Sequence, residues 1–158
     1  MRVDFYHLQS SPVENAVFML ASKVYGIKKN LLIRTDVPER ADSLNEQLWT
    51  LAPDSWLPHG SVKNDFADRQ PVYLTAGYEN PNKASVLILI NTTDAADINA
   101  FERVLFVFDG NDENVLANAR AFWKSVAAAE DGEAHYWAQN DRGAWEERAK
   151  SGRKTADT

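Results

Sequence analysis

Short apolar runs separated by helical patterns constrain the fold of this chain more than any other feature of its sequence. The run 31–33, Leu-Leu-Ile, is typical of a strand that is covered on both faces. Four further strands are predicted at residues 3–8, 72–75, 86–90 and 104–108. Because amphipathic helices alternate with these runs, we expect a three-layer α/β domain with a largely parallel sheet and helices on both faces.

Three helices are predicted between the strands. The first has Ser11 at its N-cap, Pro12 at its first helical position, Glu14 closing a capping box, and Gly26 as a left-handed residue at its end. The apolar residues on its inward face are Val13, Ala16, Val17, Leu20 and Val24. A second helix is predicted at about 38–50, with the inward residues Ala41, Leu44, Leu48 and Leu51. A third is predicted at about 112–129, with the inward residues Val115, Ala119, Phe122 and Val126.

The length of 158 residues fits one domain, and the character of the sequence changes near its end. Residues 1–132 are predicted to form a single α/β domain, and residues 133–150 an aromatic appendage packed on it. Residues 151–158 are expected to be disordered. The polar segment 60–71 inside the domain is predicted to be a loop.

Composition excludes several classes of function. The chain has no cysteine, so it has no disulfide, thiolate zinc site, iron–sulfur cluster or cysteine nucleophile. Its formal net charge of −6 disfavours general binding to nucleic acid, because the phosphate backbone attracts positive surfaces. The N-terminus lacks the apolar run of a signal peptide, and no segment approaches the ~20 apolar residues that span a bilayer. We therefore expect a cytoplasmic protein.

Motifs for nucleotide binding and catalysis are missing. The first strand–helix turn, residues 9–12, has no glycine, and neither G-x-G-x-x-G nor G-x-x-x-x-G-K-[ST] occurs, so no cofactor is predicted. The three histidines, His7, His59 and His135, form no zinc-binding pattern, and no G-x-S-x-G elbow is present. Residues distant in sequence can still assemble a site, so a small α/β enzyme or mononucleotide-binding protein with a site at the C-terminal edge of the sheet remains the alternative.

Acidic residues follow the strand at 104–108. Asp109, Asp112 and Glu113 could hold a hard cation, but acids in a turn and in the first turn of a helix more often cap backbone N–H groups, and capping is favoured here. The candidate catalytic residues of the enzyme alternative are Asp109, Asp112 and His59.

A basic and aromatic surface is predicted on the third helix. Arg120 and Lys124 lie one turn apart beside Trp123, at the edge of the apolar stripe, with no acid among their near neighbours on the helix. Such a surface suits an acidic peptide with an apolar or aromatic terminus. The alternative, favoured by the pattern alone, is that Trp123 completes the core and both cations are ordinary solvated residues.

Two tryptophans mark a second candidate surface. Trp49 lies one position off the inward stripe of the second helix, and Trp56 lies in the Pro-bounded loop that follows. Neighbouring exposed tryptophans are typical of interface hot spots, although both side chains could equally anchor the core and the loop.

These residues carry a resemblance to a known family. Most of the chain, in element order, resembles the chi subunit of bacterial DNA polymerase III. The matching segments are Phe5-Tyr6, residues 44–49 (Leu-Asn-Glu-Gln-Leu-Trp), residues 54–59 (Asp-Ser-Trp-Leu-Pro-His), residues 119–124 (Ala-Arg-Ala-Phe-Trp-Lys) and the aromatic ending over residues 136–146.

The resemblance implies a nucleotide-binding-like α/β fold without a phosphate loop, and a protein that is not itself an enzyme. It also implies two partners: the psi subunit, and the acidic, Phe-terminated C-terminal tail of the single-stranded-DNA-binding protein. By position, Arg120, Trp123 and Lys124 match the helix that grips this tail, with Val107 as the pocket floor. Trp49 and Trp56 match the surface that faces psi. No direct binding to nucleic acid or membrane is expected.

Two departures from the family pattern stand out. Trp123 replaces a Tyr of the best-known members, which alters the width of the pocket, and the acidic turn at 109–112 is longer than in some members. Because psi is not spread through all bacteria, the Trp49 and Trp56 surface could serve a different protein, such as a helicase-like one.

Overall fold

The structure is a computed structural model that describes residues 2–9, 11–50, 59–61, 67–93 and 95–152. Its helices are α1 (Val13–Gly26), α2 (Pro38–Thr50) and α3 (Glu113–Ala128), with short 3₁₀ helices at Ala67–Arg69 and Ile98–Ala100. Its strands are β1 (Arg2–Leu8), β2 (Leu31–Thr35), β3 (Gly60–Ser61), β4 (Val72–Thr75), β5 (Val86–Ile90), β6 (Arg103–Asp109), β7 (Glu133–Gln139) and β8 (Trp145–Gly152). No helix within the described ranges is both long and apolar enough to cross a membrane.

Over these residues the strands form one sheet of order β3-β4-β2-β5-β6-β1-β7-β8. Neighbouring strands are parallel except for β7 and β8, which form an antiparallel hairpin. Strands β2, β4 and β5 are buried along their whole length, as is typical of strands in a sheet covered on both faces.

Two cores lie on opposite faces of the sheet. The α1 face holds side chains of α1 and α2 together with Leu31, Ile33 and Val107. The α3 face holds side chains of α3 together with Val104 and Phe106. Alternate residues of each strand therefore serve different cores, and the prediction of a three-layer, largely parallel α/β fold with helices on both faces is confirmed.

The ends of α1 differ from the prediction. Pro12 is the N-cap in an extended conformation and no side chain caps the helix, so the predicted capping box of Ser11 and Glu14 is wrong. At the other end Gly26 is the last helical residue, and Lys28 takes the left-handed conformation at φ 60°. The N–H of Lys28 donates to Tyr25 O and that of Lys29 to Val24 O, the bond pattern of a Schellman end.

The C-terminal segment continues the sheet. Residues 133–150, predicted as an appendage, form β7 and most of β8, and β7 pairs in parallel with β1 along Arg2–His7. Strand β8 also takes in Ser151 and Gly152 from the predicted tail, whereas 153–158 lie outside the described residues. This hairpin satisfies the second backbone edge of β1, which would otherwise be left unpaired beside the core. The division of the chain at residue 132 stays a prediction.

Local predictions elsewhere match more closely. Helix α2 has the predicted bounds, and its stripe residues Ala41, Leu44 and Leu48 are buried, while Leu51 lies outside the described residues. The segment 60–71, predicted as a loop, contains the two-residue strand β3 and a 3₁₀ turn, with 62–66 outside the described part.

Candidate functional site

The crevice between β1 and β6 is the first place to look for a ligand. From these two adjacent strands the chain leaves toward α1 on one face and α3 on the other, the topological switch point at which α/β folds bind ligands. Here the two loops are joined: Gly110 N–H donates to Leu8 O at 2.8 Å, and the Asn111 side-chain amide donates to Gln9 O at 2.8 Å. The crevice is therefore closed by its own loops.

The His7 ring packs into the same crevice. A Cβ built on Gly110 would lie 1.6 Å from His7 Nε2, so the glycine permits an approach that no side chain would allow. His7 Nδ1 is hydrogen-bonded to the Tyr136 hydroxyl, and burial lowers the pKa of His7, a shift that the charge of Asp109 partly opposes. His7 thus acts here as a packed, hydrogen-bonded ring.

The acids at the start of α3 serve as caps. Asp109 accepts a hydrogen bond from Asn111 N–H at 2.9 Å. Asp112 is the N-cap of α3 and accepts from Asn114 N–H at 2.9 Å and Val115 N–H at 3.2 Å. The capping interpretation of both residues is confirmed, and within the described residues no cluster of three or more candidate metal ligands occurs.

The structure does not bring His59 to these acids. His59 is buried just before β3, and its Nε2 is hydrogen-bonded to Asn45 O at 2.8 Å. Strand β3 lies at one edge of the sheet, four strand spacings from β6, which corresponds to about 19 Å. The candidate catalytic residues of the enzyme alternative therefore lie apart.

On the surface of α3, Trp123 is both a core residue and part of the basic and aromatic surface. Its indole is partly buried on the α3-face core, 5.2 Å from the Phe5 ring and 6.0 Å from the Tyr136 ring, measured between centroids. Arg120 and Lys124 are exposed, and neither forms an ion pair with any residue that the structure describes. Trp123 therefore completes the core and also leaves part of its ring beside two available cations.

Tyr136, which is not among the predicted site residues, forms the other wall of this surface. It lies opposite Phe5 in the β1–β7 register and faces α3. Burial raises the pKa of the Tyr136 hydroxyl, and the positive charge of Arg120 opposes the rise. The alternation of residues 135–137 was the available signal, but it needed the pairing partner of β7 to assign a face.

Val107 does not belong to this surface. It is fully buried in the core of the α1 face, whereas its neighbours Phe106 and Phe108 point to the α3 face. The expectation that Val107 forms a pocket floor under Trp123 is therefore wrong, because adjacent residues of a strand point to opposite faces.

The second predicted surface is described only in part. Trp49 lies in α2, on the α1 face of the sheet, but its side chain is outside the described residues, as is the whole of Trp56. The roles of both tryptophans stay predictions.

The fold defines a three-layer α/β domain with a mostly parallel sheet and a switch-point crevice that its own loops close. Residues 1–131 match the family described as "DNA polymerase III chi subunit, HolC", and the chain belongs to this family. A curated relative from Rickettsia prowazekii (strain Madrid E), "Probable DNA polymerase III subunit chi", is 34% identical over an alignment of 112 residues that covers 66% of this chain and 67% of the relative. The resemblance drawn from the sequence is confirmed, and membership supports an accessory role in the replisome that is compatible with a non-catalytic subunit.

Proposed function

We propose that this protein is a non-catalytic adaptor that binds the acidic C-terminal tail of the single-stranded-DNA-binding protein on α3. Through the psi subunit, bound near Trp49 and Trp56, it links that tail to the clamp loader of DNA polymerase III. The observation that carries the tail site is the exposed pair Arg120 and Lys124 beside the partly buried Trp123. In a chain of net charge −6, this pair is a local positive site next to an apolar wall.

The geometry suggests a role for each side chain. Arg120 pairs with the terminal carboxylate of the tail, because a guanidinium binds a carboxylate through two parallel hydrogen bonds. Lys124 supports the acidic residues that precede it. The terminal aromatic ring packs against Trp123 and Tyr136, which takes the place first expected for Val107.

Charge attraction makes such binding sensitive to salt. The cations are solvent-exposed, so dissolved ions screen their attraction to the tail, which at 0.1 M salt decays over about 10 Å. A short peptide held this way binds with modest affinity, in the micromolar range, and several tails on one oligomeric donor raise the overall affinity through effective concentration.

The test is fluorescence anisotropy of a labelled tail peptide titrated with the full chain. Arg120→Ala is expected to weaken binding at least tenfold, the equivalent of about 1.4 kcal/mol, and more than Lys124→Ala. A peptide with a C-terminal amide should lose a similar factor with the unaltered chain, because the charge that Arg120 binds is gone. Lys23→Ala is the matched control, since it removes one cation from α1 on the opposite face of the sheet.

Binding that survives Arg120→Ala and is lost in Lys23→Ala would place the tail elsewhere and refute the site on α3. The same refutation would follow if the acid and amide peptides bound equally well.

The psi link rests on the resemblance of residues 44–49 and 54–59 to the family. Co-expression of the chain with a psi subunit should give a complex in size-exclusion chromatography that Trp49→Ala or Trp56→Ala disrupts. Arg120→Ala should leave the complex intact, because α2 and α3 lie on opposite faces of the sheet. Psi binding that survives both tryptophan variants would contradict this half of the proposal.

A further inference from the structure

A groove of about 460 Å³ runs between α1 and the C-terminal hairpin on the α1 face of the sheet. Its floor includes Tyr6 and Leu105, Met19 lies on the α1 side, and Trp137 and Trp145 form the opposite wall. It is separate from the α3 surface, which lies on the other face of the sheet.

The helices on the α1 face do not cover the C-terminal hairpin, which leaves space for the groove. Helix α1 packs on β2 and β6, and α2 packs on β2, β3 and β4, whereas α3 covers β6 and β7 from the other face. The α1 face of the hairpin thus lies beside α1 and not beneath it. Parallel strands such as β1 and β7 are ordinarily covered on both faces by helices, so the groove occupies the place of a further helix.

The groove is positively charged. Arg2, Lys23 and Arg103 line it, and the carboxylate of Asp4 lies at its base. Asp4 accepts hydrogen bonds from Arg2 at 3.1 Å, Arg103 at 2.9 Å and the indole N–H of Trp137 at 3.0 Å. The charged side chains that line the groove are therefore all basic, and those of Arg2 and Arg103 stay 37% and 41% exposed, within reach of a ligand.

Two further groups lie close to these cations. Glu133 pairs with Arg2 across β1 and β7, so its negative charge acts on Arg2; Glu133 is also hydrogen-bonded to His135 at 2.8 Å, and His135 is bonded to Glu147. Burial, together with the charge of Asp4, raises the pKa of Tyr6 to about 12, so its phenol is neutral at physiological pH.

The α1 side of the groove has the form of a ridge for a second helix. Met19 and Lys23 of α1 and its C-cap residue Ile27 recur at a spacing of four residues and all line the groove. Ile27 is 62% exposed and adds apolar surface at the end of this row. Ridges of residues four apart interdigitate with those of a neighbouring helix, which is the commonest mode of helix packing.

We propose that this groove binds an amphipathic α-helix of a partner protein whose apolar face is flanked by acidic residues. The apolar face packs on Ile27, Trp137 and Trp145, and the acidic flank meets Lys23 and Arg103. The proposal is independent of tail binding on α3 and of the predicted surface of Trp49 and Trp56.

Single-stranded nucleic acid fits the groove less well than an acidic helix. The Tyr6 and Trp137 rings stack on each other, with centroids 6.2 Å apart and planes 10° apart, so these two faces are not open to bases. Much of the remaining lining is aliphatic, as in Met19 and Ile27, and the chain as a whole carries a net charge of −6.

The test is a selection of randomised helical peptides displayed on phage, panned on the full chain and counter-selected on its Ile27→Glu variant. Enriched peptides should carry an apolar stripe at spacings of three and four residues with Asp or Glu beside it. In anisotropy titrations such a peptide should bind at least tenfold more weakly to Lys23→Glu and to Ile27→Glu, both changes at exposed positions. Lys124→Glu, the same charge change on the other face, should leave its affinity unchanged.

Four results would overturn the proposal. They are enrichment of basic or uncharged peptides, enrichment of proline-containing extended peptides, displacement of the bound peptide by an oligothymidylate, and equal binding to the Lys23→Glu and Lys124→Glu variants. A chain that dimerises in light-scattering measurements, and loses its dimer in Ile27→Glu, would instead assign the groove to a second copy. Failure of tail binding in Arg120→Ala has no bearing on these outcomes, so the two proposals fail separately.

Discussion

Replacing Gly110 with alanine tests how tightly the closed crevice between β1 and β6 is packed. The added Cβ would lie 1.6 Å from His7 Nε2 and 2.1 Å from its Cδ2, whereas real contacts of a Cβ essentially never fall below 3.0 Å. The ring must therefore move by about 1.5 to 2 Å, although it packs against Phe108 with centroids 5.2 Å apart and is hydrogen-bonded to Tyr136.

The expected cost has two parts. Loss of the bond between His7 and Tyr136 contributes about 1 kcal/mol, and forcing a packed ring aside contributes about 1 to 3 kcal/mol. The free energy of unfolding should therefore fall by about 2 to 4 kcal/mol. For a chain of this length, that corresponds to a Tm lower by roughly 5 to 12 °C.

The assay is urea unfolding followed by tryptophan fluorescence, in a double-mutant cycle with His7→Ala. With the ring removed, Gly110→Ala should cost less than about 1 kcal/mol, so the cycle should show a coupling above about 1 kcal/mol. Gly26→Ala is the matched control, because a Cβ there meets nothing within 4 Å and alanine favours a helix. Equal losses from Gly110→Ala in both backgrounds would refute the steric argument.

Three further predictions concern single side chains, and urea unfolding measures each. Asp112→Ala should lower the free energy of unfolding by about 1 kcal/mol through loss of the α3 cap, and Glu113→Ala, in the same turn, should cost less; equal effects would contradict the capping role. Arg34→Lys should cost about 1.5 to 3 kcal/mol, because lysine cannot reproduce the two bonds of 2.9 and 2.7 Å to Asp97, and a change below about 0.5 kcal/mol would contradict this. Burial alone would raise the pKa of Asp4, but hydrogen bonds from its partners hold that pKa below the ordinary 3.8. The ionised carboxylate therefore contributes fully to the free energy of unfolding above about pH 4, and this contribution is lost as the pH falls through the lowered pKa. Asp4→Asn should accordingly flatten the acid limb of a plot of stability against pH, and parallel plots for the two proteins would contradict this.

Local patterns predicted most of the strands and helices because burial on both faces leaves a direct trace in the sequence. The runs at 86–90 and 104–108 became β5 and the centre of β6. The strand order was beyond reach, since pairing joins residues far apart in sequence. Strand β8 was missed because exposed edge strands carry charges that protect them from pairing further, and Glu146 to Lys150 are all exposed.

The residues of the candidate site that lie close together in sequence were predicted, and those that depend on strand pairing were not. Arg120, Trp123 and Lys124 lie on one helix, so the helical period alone places them on neighbouring positions of its surface. Val107 was assigned to the wrong face of the sheet, because neighbouring residues of a strand point into different cores. Tyr136 joins the site only through the pairing of β7 with β1, which no local pattern reveals.

The position of β1 has a consequence for synthesis of the protein. Arg2 pairs on one side with Arg103 and on the other with Glu133, so both neighbours of β1 are translated long after it. Strand β1 leaves the ribosome before either neighbour and must therefore wait, with both backbone edges open, until β6 and then β7 emerge. During that interval the nascent chain presents an aggregation-prone segment that a chaperone can shield.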